Sequence, residues 1–326
     1  MKRLTFVLLF DITKELMKYA IQAEGINKTY GKYQALTNVS IDIPEGKIFG
    51  LLGPNGAGKT TFIRILNQII EPDSGLIKFY GSPLQRSHVE DIGYLPEERG
   101  LYKKMKVGEQ CVYLAQMKGM KEKDALAELK MWFEKFEIQE WWDKKVEDLS
   151  KGMAQKIQFI TTVVHKPKLL ILDEPFSGFD PINAEIIHNE MLRLRDEGTT
   201  IVLSTHDMGS VESLCDNIAL INRSQVILSG SVAEVRDSFR TKTYTLKFQG
   251  TLLEFTIALG ARFELISNEL NNDIHTASVR IKPQFKLNDL LIQVIPAVDI
   301  LSAEEKVPSM HDIFVQSVLS FNEAQS

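Results

Sequence analysis

Few short stretches restrict a backbone as tightly as Gly53-Pro54-Asn55-Gly56-Ala57-Gly58-Lys59-Thr60-Thr61. An unbroken apolar run, Ile48–Leu52, leads into it, and Phe62, Ile63, Ile65 and Leu66 leave it at helical spacing. This is the strand, glycine loop and helix context of a P-loop. Glycines let the backbone curl so that successive amides face one anion, and the following helix N-terminus adds partial positive charge. Lys59 is spaced to neutralise β- and γ-phosphates, and the Thr60 hydroxyl to ligate Mg²⁺. A loop of this kind implies a largely parallel, buried sheet around it.

Such strands are legible at Leu169–Leu172, Ile201–Leu203 and Ile218–Ile221, each bounded by a polar or glycine-containing loop. Ahead of the glycine loop, Val39, Ile41 and Ile43 alternate with polar residues as in a half-exposed strand, and Pro44-Glu45-Gly46 reverses the chain. From about Glu97 the pattern turns helical. Val107, Cys111, Leu114 and Met117 fall on one face, as do Leu126, Leu129, Phe133 and Phe136, which predicts a helical insertion over about 97–165. After Thr241, Tyr244, Leu246 and Phe248 alternate, and a last helix is expected from Ser309 to Leu319. The 326 residues then divide into an extension, 1–18, a sheet domain, 19–240, and a small α+β domain, 241–326.

Composition removes several alternatives. A net charge of -5 lacks the basic footprint of a protein that lives on nucleic acid. Cys111 and Cys215 are the only cysteines, too few for a disulfide framework or a zinc site, which fits a reducing, cytoplasmic setting. No apolar run approaches the roughly 20 residues of a membrane span. Lys2, Arg3 and the run Leu4–Phe10 resemble the start of a secretory signal, but Asp11 and Lys14 follow and a small-residue cleavage site is missing. The expectation is a short extension, with Met17 as an alternative start.

The second half of the candidate site is Leu169-Leu170-Ile171-Leu172-Asp173-Glu174, a buried strand delivering two carboxylates at its C-terminal end, where ligands of open α/β sheets collect. Asp173 is placed to hold Mg²⁺ and Glu174 to polarise a water aimed at a γ-phosphate. On its own the pair could equally be acids capping the next turn. The long interval between Lys59 and Asp173 holds the helical insertion. Within it, Leu149-Ser150-Lys151-Gly152-Met153 opens a helix, and a plain Ser N-cap, which many helices have, would do the same.

In this order the motifs resemble those of the ATP-binding-cassette (ABC) ATPases. The resemblance implies an α/β P-loop cassette with a mixed sheet core, an antiparallel β part and a helical insertion, followed by an accessory domain. It matches Leu149, Ser150 and Gly152 to the family signature Leu-Ser-Gly-Gly-Gln, which binds the γ-phosphate of an ATP held by another subunit; Lys151 and Met153 depart from it. Ser177-Gly178-Phe179-Asp180-Pro181 is similar to the loop lining the dimer seam, and Ser204-Thr205-His206 to the loop whose histidine contacts γ-phosphate and water. Tyr30 matches the aromatic that stacks on adenine, although a tyrosine at a strand end can also be core. Glu97 stands where the family usually has a glutamine that touches Mg²⁺. An oxygen ligand is kept there and a negative charge added.

The stretch Pro96–Tyr102 resembles single-cassette subunits of ABC-2-type exporters for sodium, drugs or antibiotics. By resemblance, then, the chain is an ATP-hydrolysing subunit, peripheral on the cytoplasmic face of the membrane, that uses ATP and Mg²⁺, pairs with a second ABC ATPase subunit, and drives an integral membrane permease. The alternatives are a soluble ABC-type ATPase acting on nucleic acid or ribosomes, and a nucleotide sensor that does not hydrolyse.

Overall fold

The computed structural model describes residues 18–97 and 100–325. The apolar run Leu4–Phe10 and Met17, together with Glu98 and Arg99 of the Pro96–Tyr102 stretch, lie outside the described residues. Contact clustering yields two compact units: one runs to Val232 and takes in Ser317 onward, the other is Ala233–Gln316.

The first unit opens with β1 (Tyr19–Tyr30) and β2 (Tyr33–Pro44), an antiparallel pair whose alternation buries Val39, Ile41 and Ile43. It continues through β3 (Ile48–Leu52), α1 (Lys59–Leu66), β4 (Ser74–Phe79), β5 (Ser82–Pro83) and β6 (Ile92–Leu95). The helical insertion carries α2 (Val107–Met117), α3 (Glu122–Lys135) and α4 (Lys151–Val163). Then come β7 (Leu169–Asp173), α5 (Pro181–Asp196), β8 (Thr200–Ser204), α6 (Met208–Leu214), β9 (Asn217–Asn222) and β10 (Gln225–Ser231). Two sheets result. An antiparallel sheet has the order β2-β1-β4-β5, and a sheet of order β10-β9-β3-β8-β7-β6 is parallel except for its edge strand β10.

The strands β3, β7 and β8 are buried along their whole length, which is why they read as continuous apolar runs. Phe62, Ile63, Ile65 and Leu66 of α1 pack into the same core as Phe49, Leu51, Ile171 and Val202. Parallel register sets the ends of the strands side by side: Leu95 is opposite Leu172, Asp173 opposite Ser204, and Ser204 opposite Leu51. Everything that follows these residues in the chain therefore emerges at one edge of the sheet.

The inward face of the insertion holds Val107, Cys111, Leu129, Phe133 and Phe136 as expected, but departs from the sequence expectation at Leu114, Met117 and Leu126. Met117 is 66% exposed and Leu126 41%, while Leu114 is half-buried. The buried stripe is Val107, Cys111 and Ala115 on α2, and Ala125, Leu129, Trp132 and Phe133 on α3. Alanine scores weakly as a hydrophobe, yet its small side chain lets helices approach closely, so Ala115 and Ala125 join the bulky residues of the stripe.

The second unit contains α7 (Val232–Ser238) from Ala233 onward, then β11 (Thr243–Gln249), α8 (Leu252–Leu259), β12 (Phe263–Asn271), β13 (Ile274–Ile281), α9 (Leu287–Val294), β14 (Asp299–Glu305) and the first turns of α10 (Met310–Ala324). The sheet order β12-β13-β11-β14, all antiparallel, with a helix after the first and third strands, is the split βαβ arrangement. Its core holds Leu246, Phe248, Phe255, Val279 and Leu290, with Phe248 stacked on Phe255 at 4.2 Å between ring centres. The compact unit takes in α7 from Ala233, where Arg236 donates to the Pro308 carbonyl at 3.2 Å. The last helix continues past Leu319 to Ala324.

Candidate nucleotide site

The loop between β3 and α1 is shaped by two close approaches. At Gly53 (φ +148°) a Cβ would fall 2.1 Å from the Ile221 carbonyl oxygen, and at Gly58 (φ +118°) 2.5 Å from that of Ala35. Only glycine satisfies both the torsion and the clearance. Gly58 is also the N-cap of α1, so Lys59 and Thr60 begin the helix, while Pro54, Asn55, Gly56, Ala57 and Thr61 complete the loop and its exit. Lys59 is buried, and its ammonium donates to the carbonyls of Gly53 at 2.7 Å and Pro54 at 3.2 Å. Burial lowers its pKa, opposed by Glu174, Asp173 and Glu97.

Asp173 ends β7, 5% exposed. Burial raises the pKa of its carboxyl, and Glu174 and Glu97 push the same way. Glu174 follows in the left-handed region at φ +49°, a conformation that costs a non-glycine residue about 1–3 kcal/mol and concentrates at functional sites. Its amide donates to the Ser204 carbonyl at 2.8 Å, so the turn is anchored to the end of β8. Its carboxylate Oε1 lies 2.8 Å from Nδ1 of His206, two residues beyond β8. The imidazole side chain is 76% exposed and the carboxylate 14%, so the pair stands at the solvent edge with the acid inside.

The structure thus brings Lys59, Glu97, Asp173, Glu174 and His206 to one end of the parallel strands. The donor chemistry fits a divalent cation held together with phosphate. Three carboxylates act on one buried ammonium, leaving surplus negative charge, and the Thr60 hydroxyl lies at the start of α1. Among the described residues no cluster of three or more His, Cys, Asp and Glu side chains could hold a metal by itself.

The turn at Leu149–Met153 is built differently. Ser150 caps α4, its hydroxyl accepting from the Met153 amide at 3.3 Å, with Leu149 half-buried before it. A Cβ on Gly152 would meet open space. Side-chain contacts of this turn run to the loop after β7: Lys151 lies over Gly178, and Gln155 donates from Nε2 to the Ser177 carbonyl. Asp180 caps α5, accepting from the Asn183 amide at 3.0 Å, which holds its carboxyl below the usual range.

Two residues escaped the sequence reading. Tyr33 donates its hydroxyl to the Gly56 carbonyl at 2.7 Å, whereas Tyr30 ends β1 with its ring 43% exposed and the Lys28 ammonium 5.8 Å from the ring centre. Tyr33 was detectable only as a second aromatic three positions after Tyr30. Gln155 is one of several polar residues on α4, and nothing in the sequence marks its target.

The chain is 40% identical over 305 residues to an uncharacterized ABC transporter ATP-binding protein of Bacillus subtilis (strain 168), YhaQ, across 90% of this chain and 97% of the relative. It belongs to the ABC transporter ATP-binding proteins. The family profile described as ABC transporter matches residues 36–177, and the C-terminal domain of ATP-binding protein DrrA1-3-like matches residues 230–318. A second relative, the lantibiotic transport ATP-binding protein SrtF of Streptococcus pyogenes, is 35% identical over 208 residues, covering 64% of this chain and 89% of its own. Among solved structures, one titled as an ATP-binding subunit of an ABC transporter superposes with a TM-score of 0.63 at 28% identity, over 68% of this chain and 93% of that one. The protein is an ATP-binding subunit of an ABC transporter, in a family whose members are ATPases. No helix among the described residues is long and apolar enough to cross a membrane.

Proposed function

We propose that this chain hydrolyses MgATP in a closed pair of ABC cassettes and thereby powers an integral membrane permease, working from the cytoplasmic face as the ATPase of an exporter. The observation that supports this most directly is the Glu174–His206 contact at 2.8 Å beyond the strand ends that also carry Lys59 and Asp173. A base oriented by a partner and set beside a buried cation is the arrangement expected for directing water at a phosphoryl group.

In this reading the loop Gly53–Thr61 cradles the phosphates and Lys59 exchanges its two carbonyl partners for β- and γ-phosphate oxygens. Tyr30 offers a face for adenine. Thr60, Asp173 and Glu97 would hold Mg²⁺, which when bound neutralises charge developing on the phosphates. Glu174 accepts the proton of the attacking water, and His206 holds that carboxylate and contacts the γ-phosphate side of the site. The signature Leu149–Met153, through Ser150, Gly152 and the N-terminus of α4, contacts the ATP of the other subunit, while Ser177, Gly178 and Asp180 line the seam. A closed state favoured by γ-phosphate requires several kcal/mol of differential contact to become dominant, and a charge at the seam supplies it.

Export is supported by the accessory domain behind the cassette and by a relative named for lantibiotic transport. The relatives' names speak for transport rather than for work on nucleic acid. The test is co-isolation of the full chain with its membrane partner, followed by phosphate release with and without that partner. Coupled, magnesium-dependent release is expected. A chain that binds ATP yet releases no phosphate in the complex refutes the reading.

A further inference from the structure

The two departures from the family signature are not equivalent in the fold. Lys151 is the first residue of α4, and its side chain reaches across to the loop that follows β7. A Cβ built on Gly178 would fall 2.2 Å from Lys151 Cε and 2.3 Å from Nζ, so the end of the lysine fills the space a side chain at 178 would occupy. Gly178 itself is at φ +83°. One helical turn along the same face, Gln155 donates to the neighbouring Ser177 carbonyl. Two side chains of α4 thus meet two consecutive residues of the loop, Gln155 by a hydrogen bond to Ser177 and Lys151 by laying its exposed end against Gly178.

That loop leads straight back to Glu174. The Ser177 amide donates to the Glu174 carbonyl at 3.1 Å, and the Phe179 amide to that of Phe176 at 3.2 Å. Forward, Asp180 is fixed as the cap of α5. Glu174 holds a left-handed torsion that its own side chain does not favour, and such a torsion persists only where the surroundings impose it. On one side the Ser204 carbonyl does so; on the other the loop 175–179 does, and α4 grips that loop.

We propose that Lys151 is a positioning residue for hydrolysis: its side chain tethers Gly178 to α4 and, with Gln155, fixes the loop that holds Glu174 in the geometry of a base. The glycine that the family signature has at this position offers no side chain for such a tether, so the device belongs to this version of the cassette. The proposal rests on the role given to Glu174 above.

The test compares Lys151→Met and Lys151→Arg in the full chain by steady-state ATPase kinetics, thermal unfolding, and amide deuterium exchange without nucleotide. Lys151→Met is expected to lower kcat about ten- to hundredfold, as misplacement of a catalytic group does, with KM and Tm little changed. Exchange at Ser177 and Phe179 should speed several-fold, and Lys151→Arg should restore most of both properties. An unchanged kcat, a rise in KM alone, or identical exchange in Lys151→Met and wild type overturns the tether. A wild-type chain without ATPase activity would instead sink the proposed function, and the exchange measurement would still decide the tether.

Discussion

Replacing Glu174 by Gln separates binding from turnover at a single atom. The amide side chain is isosteric, and the backbone contact to the Ser204 carbonyl at 2.8 Å is untouched, so the left-handed turn at φ +49° should survive. What is lost is the proton acceptor. General-base catalysis contributes about 10²–10⁴-fold, or roughly 3–5 kcal/mol of barrier, and kcat should fall by that much. Nucleotide affinity should move the other way. Glu174 is one of three carboxylates acting on Lys59, and removing its negative charge relieves repulsion with a bound phosphate, on the order of a few kcal/mol for unit charges several Å apart at an effective dielectric constant of about 20. Phosphate release gives kcat, equilibrium dialysis gives the ATP Kd, and light scattering follows self-association, which should persist with ATP because reopening is blocked. Turnover within about threefold of wild type would identify another base. Weakened ATP binding would show that Glu174 helps hold nucleotide rather than activate water.

Other perturbations read the same site from different sides. Lys59→Ala should abolish measurable ATP binding, by equilibrium dialysis, because the buried cation aimed at the loop is gone; undiminished affinity would contradict the P-loop assignment. Asp173→Asn should stabilise the nucleotide-free chain. The pKa of the Asp173 carboxyl in the fold lies above the unfolded 3.8, so its stability contribution is present below that pH and is lost as pH rises through the folded value. At neutral pH the buried charge is a cost, and its removal should raise Tm by about 2–4 °C per kcal/mol relieved while eliminating magnesium-dependent hydrolysis; a lowered Tm would refute the argument. Tyr33→Phe removes one hydrogen bond to the loop and should cost about 0.5–1.5 kcal/mol of ATP affinity. Tyr30→Ala, if the ring stacks on adenine, should cost about 1–3 kcal/mol and narrow discrimination between ATP and GTP; an unchanged ratio assigns the base elsewhere.

Much of this molecule could be read before any coordinates. The glycine loop, the strand delivering Asp173 and Glu174 at its end, and the run Ile201–Leu203 ahead of His206 are local patterns, and their burial and element type follow from period, propensity and capping within a few residues. On α2 and α3 the bulky residues of the stripe are legible, but hydrophobic bulk does not mark burial throughout: Ala115 and Ala125 face inward where Met117 and Leu126 do not. The contact from Arg236 of α7 to Pro308, 72 residues away, is one that no local pattern announces.

Chain order and residue chemistry alone determined which groups are present: the phosphate loop, the two acids, the histidine and an N-capped signature helix with a lysine in place of a glycine. Tertiary structure decided which of them meet. The register of β7 against β8 sets Asp173 opposite Ser204 and so delivers Glu174 to His206, and the path of α4 lays Lys151 on Gly178. Such contacts join residues more than 20 positions apart through strand pairing and helix packing, interactions whose energy resides in the assembled core and is invisible to any window of sequence short enough to carry a pattern.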